Sequence, residues 1–400
     1  MKKNVILEKL NKPDHQYFDL TDKEKIDIAD NMLAEWEKIK AKWGEPTDFG
    51  GLAEDKYKEK IADLGECFKL YLTDKVKEKT IQKIYNELFG DVNPSEKPFL
   101  IIVAGAIASG KSTVIKCAVP AKYGTNYAVV DKDVIKASNI FRSFIHKKFG
   151  DEHGNLIEDF MLKLRDTIGE MAIKDKRSIL LEQSCKSDGF LKTCKLAKNN
   201  GFRIYAEIVI TPIAFTCVRN VYRYVDGLKK NPKTARYEAF VNIKDTYENA
   251  PDVLTKLQPY IDNGDMTVYT SDILKVDIKD VEKKDRPIAE VFDEVANGPV
   301  SDISYEIATR IYNHIYEHID LVKHIPDVLY SLSVTAQKLL ELAKNPDMIT
   351  RAMPQEWQPQ SVLDELDELN KPLGKYSYSK RLEQNRDYFK KLKFYPMITP

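Results

Sequence analysis

Short continuous apolar runs separated by helix-length amphipathic stretches mark the middle of the chain, while both ends show helical spacing alone. In residues 1 to about 95, Thr21-Asp22-Lys23-Glu24 forms a capping box, and Ile26, Ile28, Ala29, Met32, Leu33, Trp36 and Ile39 follow at helical intervals until Gly44 and Pro46 stop the run. Two more helices are expected near 55–72 and 74–89, closed by Gly90, with no strand signal in this stretch. The pattern changes at Pro98. Phe99-Leu100-Ile101-Ile102-Val103 reads as a strand buried on both faces, and similar runs recur at 127–130, 178–181, 204–210 and 266–269. Asn199-Asn200-Gly201 stops a helix before the fourth of them. After about residue 300 strands are expected to disappear again, with helices near 302–323, 326–344, 361–370 and 379–393.

Strand–helix alternation of this kind predicts an α/β fold: a parallel sheet of P-loop NTPase type with helices on both faces, flanked by N- and C-terminal helical regions. The expected organisation is a helical region over 1–95, the α/β domain over 96–300 and a second helical region over 301–400. A chain of 400 residues accommodates that many units.

Composition narrows the function classes. The 62 basic and 62 acidic side chains cancel, so nothing draws the whole chain to nucleic acid or to an anionic surface. The run Val5-Ile6-Leu7 is too short for a signal-peptide core, and Phe99–Ala108 has about half the length of a membrane helix. Five cysteines without a Cys-x-x-Cys pair point to reduced thiols and a cytoplasmic location, with Cys185 and Cys194 as packing residues.

The strongest chemical signal is Gly105-Ala106-Ile107-Ala108-Ser109-Gly110-Lys111-Ser112, which satisfies G-x-x-x-x-G-K-[ST] between a strand and a helix. Its glycines let backbone amides turn toward a polyphosphate, and the helix that follows adds its N-terminal amides. Gly105, Ser109, Gly110, Lys111, Ser112 and Thr113 are the expected ATP contacts. Lys111 would reach the β- and γ-phosphates, and Ser112 would give its hydroxyl oxygen to Mg²⁺.

A base for an acceptor hydroxyl is expected at the carboxyl end of a neighbouring strand. Asp131 and Asp133 follow the second strand; Asp133 reads as catalytic, and Asp131 as a helix cap or an aid to Mg²⁺. Glu182 ends the third strand, where it could hold sugar hydroxyls or Mg²⁺, or form a structural ion pair. Arg219 and Arg223 share a helix face, and Arg236 returns after the turn Lys230-Asn231-Pro232-Lys233, as in a lid that neutralises the transferring phosphoryl group. His314-Ile315-Tyr316-Glu317-His318 fits H-x-x-E-H but reads as a solvated helix face. Lys390, Lys391 and Lys393 with Tyr388 and Phe389 read as the two sides of an amphipathic helix rather than a nucleic-acid surface.

These residues together resemble the zeta toxin family of P-loop kinases over about residues 97–275. Tyr127–Lys136 resembles the family's strand ending in Asp-x-Asp, Leu180-Leu181-Glu182 its strand ending in Glu-Gly-Thr, and Arg223-Tyr224 with Asn231–Arg236 its lid. The resemblance implies Lys111 and Ser112 on ATP and Mg²⁺, Asp133 as general base, Glu182 on a sugar acceptor, and Arg223 and Arg236 as phosphate clamps. It also implies transfer to the 3′-hydroxyl of the amino sugar in UDP-N-acetylglucosamine, other members of the group being linked to nucleotide acceptors such as NAD. Two departures stand out: Gln183 where Gly is usual, and Ile107-Ala108 where Pro and Gly are common. A small helical antitoxin is the implied partner, or residues 1–95 as a built-in inhibitor, with a structural extension as the plainer alternative. A kinase of polynucleotide ends or of NAD, and a slow nucleotide-dependent switch, remain the competing functions.

Overall fold

The structure, a computed structural model, describes residues 1–49, 52–130, 135, 138–150, 154, 156–232, 235–262, 264–270 and 286–350. Its centre is a five-stranded parallel sheet of P-loop α/β type. The strands are β1 (Phe99–Gly105), β2 (Ala128–Val130), β3 (Ile179–Gln183), β4 (Arg203–Val209) and β5 (Met266–Tyr269), in the order β2-β3-β1-β4-β5. β1 is central, and Leu100 to Ala104 are fully buried, as expected of an apolar run with no solvent face. Register along β4 places Glu207 between Val103 of β1 and Thr267 of β5.

Contacts divide the chain into two compact units, Met1–Pro98 with Asn126–Ile179, and Phe99–Thr125 with the residues from Leu180 onward. The first contains helices Lys3–Leu10, Asp22–Trp43, Glu54–Lys69 and Asp74–Phe89, together with Arg142–Phe149 and Glu158–Lys174. The capping box forms: the Thr21 amide donates to Glu24 Oε2 at 2.6 Å, and the Glu24 amide to Thr21 Oγ1 at 3.2 Å. Gly44 closes this helix at φ 75°, a left-handed value that costs glycine little. The apolar faces meet in an aromatic core of Trp36, Phe68, Tyr71, Phe141 and Phe149.

The second unit holds helices Leu191–Asn199, Ile213–Lys230, Phe240–Leu257, Ile288–Asn297, Asp302–Glu317 and Pro326–Lys344. A core of Phe215, Val218, Val221, Val225, Tyr305, Ile315, Val328 and Leu339 joins the last two of these to Ile213–Lys230. One expectation is corrected here. Strand pairing does not end near residue 300, because β6 (Val300–Ser301) pairs in parallel with β7 (Ile349–Thr350). Two residues a side are too few to give a period-2 signal, and burial of Val300 and Ile349 in the helical core brings them together. The helices expected at 361–370 and 379–393 lie outside the described residues. No helix among the described residues is long and apolar enough to cross a membrane.

Candidate nucleotide-binding site

The loop from Gly105 to Gly110 turns at the carboxyl end of β1 and is shaped by close backbone contacts. A side chain at Gly105 would place its Cβ 2.5 Å from the Val209 carbonyl oxygen and 2.8 Å from Ser109 Oγ, so only glycine fits. Gly110 sits at φ 108°. Ala108 sits at φ 60°, a left-handed conformation that an L side chain resists, at the position where the resemblance noted a usual glycine. The Ser109 carbonyl accepts from Thr211 Oγ1 at 3.0 Å, and the Thr211 carbonyl in turn accepts from the Tyr247 hydroxyl. The buried Ser109 hydroxyl has no hydrogen-bond partner among the described residues.

The helical segment after the loop changes pitch within a few residues. Lys111–Thr113 is α-helical, Val114–Ala118 has π-type winding, and Val119–Tyr123 is α-helical again. Pro120 accounts for the change, since it lacks an amide hydrogen and its ring crowds the preceding turn. The far end is tied to the sheet through Glu207, a fully buried carboxylate of β4. Lys122 Nζ donates to it at 2.9 Å, the Tyr269 hydroxyl at 2.6 Å, and the Tyr123 hydroxyl as well.

Lys111 is buried and folds back over the loop, its Nζ donating to the carbonyls of Gly105 at 2.9 Å and Ala106 at 2.7 Å. Glu182, at the end of β3, places Oε1 3.6 Å from the same ammonium. Burial pushes the Lys111 pKa below its ordinary value; Glu182 opposes that shift and the Arg223 guanidinium adds to it. The structure therefore gathers Lys111, Glu182 and Arg223 into one electrostatic neighbourhood. Ser112 is exposed and Thr113 half-buried at the start of the helical segment. Arg223 is exposed on helix Ile213–Lys230, Arg219 half-buried on the same helix, and Arg236 exposed in the segment that follows. Asp131 and Asp133 lie outside the described residues.

Three further side chains shape this site. Cys185 is buried, holds φ 59°, and lies near both Gly105 and Lys111, with its thiol pushed up to about 12 by burial. Thr211 and Tyr247 fix the loop from behind. A polar residue directly after an apolar strand run was the available sign for Thr211; nothing in the sequence near Tyr247 indicates its part.

The donor set suits a hard cation held mainly by phosphate oxygens. Ser112 offers one hydroxyl oxygen, and no cluster of three or more His, Cys, Asp or Glu forms among the described residues. Mg²⁺ commonly binds in this way, through few protein ligands and the substrate's phosphates.

Residues 85–273 match the family model described as Zeta toxin. A structure from the PezAT chromosomal toxin–antitoxin system of Streptococcus pneumoniae superposes with a TM-score of 0.54 at 18% identity, over 62% of this chain and 97% of that one. The AvrRxo1-ORF1:-ORF2 structure with ATP aligns at TM-score 0.38 and 15% identity, over 66% and 85%. The native AvrRxo1-ORF1:-ORF2 complex aligns at 0.39 and 14%, over 84% and 94%. No curated protein matches the chain. Residues 85–273 thus match the zeta toxin family, and the chain shares the fold of the PezAT structure.

Proposed function

We propose that the chain transfers the γ-phosphate of ATP to a hydroxyl of a nucleotide sugar, with UDP-N-acetylglucosamine as the first candidate, in the manner of a zeta-type toxin acting in the cytoplasm. The observation that carries the reading is the meeting of Lys111 and Glu182 at 3.6 Å beside a loop whose close approach to Val209 only a glycine at Gly105 allows. A cation for phosphate and a carboxylate on the adjacent strand are what acceptor phosphorylation needs at a sheet edge.

In this reading the acceptor oxygen bonds to the γ-phosphorus, the bond to the bridging oxygen breaks, ADP departs, and the hydroxyl proton passes to Asp133. Lys111 exchanges its two loop carbonyls for phosphate oxygens. Arg223 and Arg236 offset the charge that spreads over the transferring group. Gly105, Ser109, Gly110 and Thr113 line the phosphate loop, and Asp131 and Glu182 bind the acceptor. Ser112 would hold Mg²⁺, which supplies charge neutralisation on the phosphates. An antitoxin partner follows from the same reading, since the PezAT relative comes from a toxin–antitoxin system.

The test is incubation with Mg-ATP and a panel of UDP-sugars, NAD and a short oligonucleotide, read by mass spectrometry. A phosphate adduct on UDP-N-acetylglucosamine that disappears in Asp133→Ala supports the proposal. Adduct on NAD or the oligonucleotide keeps the kinase and replaces the acceptor. Binding of ATP without any adduct sinks the transfer reading.

A further inference from the structure

We infer that residues 1–95 are a fixed brace for the strands that lead to the acceptor-side carboxylates, and not a removable inhibitory cap. Three sets of contacts within the first unit carry this. At the amino end of β2, Asn93 and Asn126 bond reciprocally, the Asn93 amide donating at 2.9 Å and Asn126 Nδ2 returning at 3.2 Å to the Asn93 carbonyl. Ahead of β3, the Ser95 amide donates to the Lys176 carbonyl at 2.9 Å. Arg177 reaches from the same side to the carbonyls of Val92, at 2.6 Å, and Phe89. Phe89 ends helix Asp74–Phe89, so a guanidinium satisfies its last carbonyl at the negative end of the helix dipole. In the sequence β2 is followed by Asp131 and Asp133, and β3 ends in Glu182 and Gln183. The segment 89–95 is thus stitched to the start of both strands.

Further along, the contact is a shared apolar core. Phe68 meets Phe149 edge-on at 5.8 Å and Phe141 at 6.1 Å, Tyr71 meets Phe141 at 5.3 Å, and Trp36 meets Phe149 at 6.3 Å. Phe68, Tyr71 and Phe141 are all at most 1% exposed. Gly65 passes so near the Leu156 carbonyl that an added Cβ would stand 3.1 Å from it. The Tyr85 hydroxyl donates to the Asp175 carboxylate. An inhibitor that dissociates leaves a folded, wettable surface behind it. Withdrawal of these helices would instead bare Phe141 and Phe149, whose ring contacts among the described residues are with Trp36, Phe49, Phe68 and Tyr71.

The test uses the full chain with Arg177→Ala, Arg177→Lys as its conservative partner, and Phe68→Ala. Amide hydrogen exchange by mass spectrometry follows peptides over 54–89 and 141–174, and a fluorescent ATP analogue reports the nucleotide site. Exchange should quicken at least tenfold in both segments together, with nucleotide affinity held within twofold and recovery of protection in Arg177→Lys. Faster exchange in 54–89 while 141–174 stays protected would overturn the inference. A transfer assay adds a second arm that rests on the kinase reading: kcat should fall at least tenfold with the KM for ATP unchanged, whereas a gain in kcat would mean a released inhibitor. If the wild-type chain phosphorylates no acceptor, the exchange arm still decides.

Discussion

The Glu182 carboxylate stands 3.6 Å from the Lys111 ammonium, so the side chain proposed to bind the acceptor is also the counter-charge of the lysine proposed to bind phosphate. Under the proposed function the two roles would alternate. Glu182 offsets part of the cost of holding a cation in a buried site; in the proposed reaction, phosphate would give Lys111 anionic partners and release Glu182 toward the acceptor.

This relationship separates two substitutions that would otherwise look alike. Lys111→Ala should abolish nucleotide binding and with it all transfer. Glu182→Gln removes a competitor for the ammonium, so affinity for a fluorescent ATP analogue should hold or rise. Transfer in that variant should drop by about 10²-fold, the scale of one lost polar group acting in a transition state. Weakened nucleotide binding in Glu182→Gln would refute the alternation.

Asp327 gives a second prediction, on the segment expected to act as a lid. Its carboxylate accepts from the Tyr237 hydroxyl at 2.7 Å and from the Phe240 amide at 2.9 Å, so helix Pro326–Lys344 grips the segment just after Arg236. Asn220, on the same helix as Arg223, holds that segment from the other side by donating to the Glu238 carbonyl at 2.8 Å. Asp327→Ala should cost about 2 kcal/mol in urea unfolding, in line with hydrogen bonds to a charged group. It should lower kcat more than it alters the KM for ATP, and Asp327→Asn should recover part of both. An unchanged kcat in a destabilised Asp327→Ala protein would mean that the grip is structural only.

Much of this architecture is legible in the residue pattern, for reasons that also explain what is not. The five strands were visible because a parallel strand buried on both faces leaves an unbroken apolar run, as Leu100 to Ala104 do. The phosphate loop was visible because close approach at Gly105 admits no other residue. Glu207 was hidden: it sits inside the apolar run Ile204–Ile210 with nothing nearby to mark its partners, and it is fully buried because Lys122, Tyr123 and Tyr269 converge on it from distant parts of the chain. The partnership of helices 54–89 with 141–174 was hidden for the same reason. Periodicity marks which face of a helix is apolar and carries no information on which other face will cover it.

Ala108 tests the strain in the phosphate loop. Its left-handed backbone costs a non-glycine residue roughly 1–2 kcal/mol, and the greater freedom of glycine in the unfolded chain returns part of that. Ala108→Gly should therefore raise stability by up to about 1 kcal/mol, and Ala108→Val should lower it, since a β-branched side chain fits φ 60° worse still. Urea midpoints of the three proteins decide it. A loss of stability in Ala108→Gly would show that the alanine methyl contributes packing that outweighs its backbone cost.

The cysteines predict how stability changes with pH. Burial pushes the thiols of Cys67, Cys185, Cys194 and Cys217 up to about 12 from an ordinary 9.0, while Cys117 is half-buried and raised less. A raised thiol pKa means that the folded chain keeps its proton after the unfolded chain has lost it. The stabilisation is complete below the unfolded value and is lost as pH climbs toward 12, each group contributing a slope of about 1.4 kcal/mol per pH unit inside that window. Urea midpoints should be level from pH 6 to 8 and fall with increasing steepness above 9, where tyrosines raised by burial, such as Tyr71 and Tyr247, add to the decline in the same direction. At pH 8 the native protein should react promptly with a thiol reagent at Cys117 alone, and the other four should become reactive only on unfolding. Prompt labelling of Cys185 would place its sulfur in contact with solvent and remove the reason for its raised pKa.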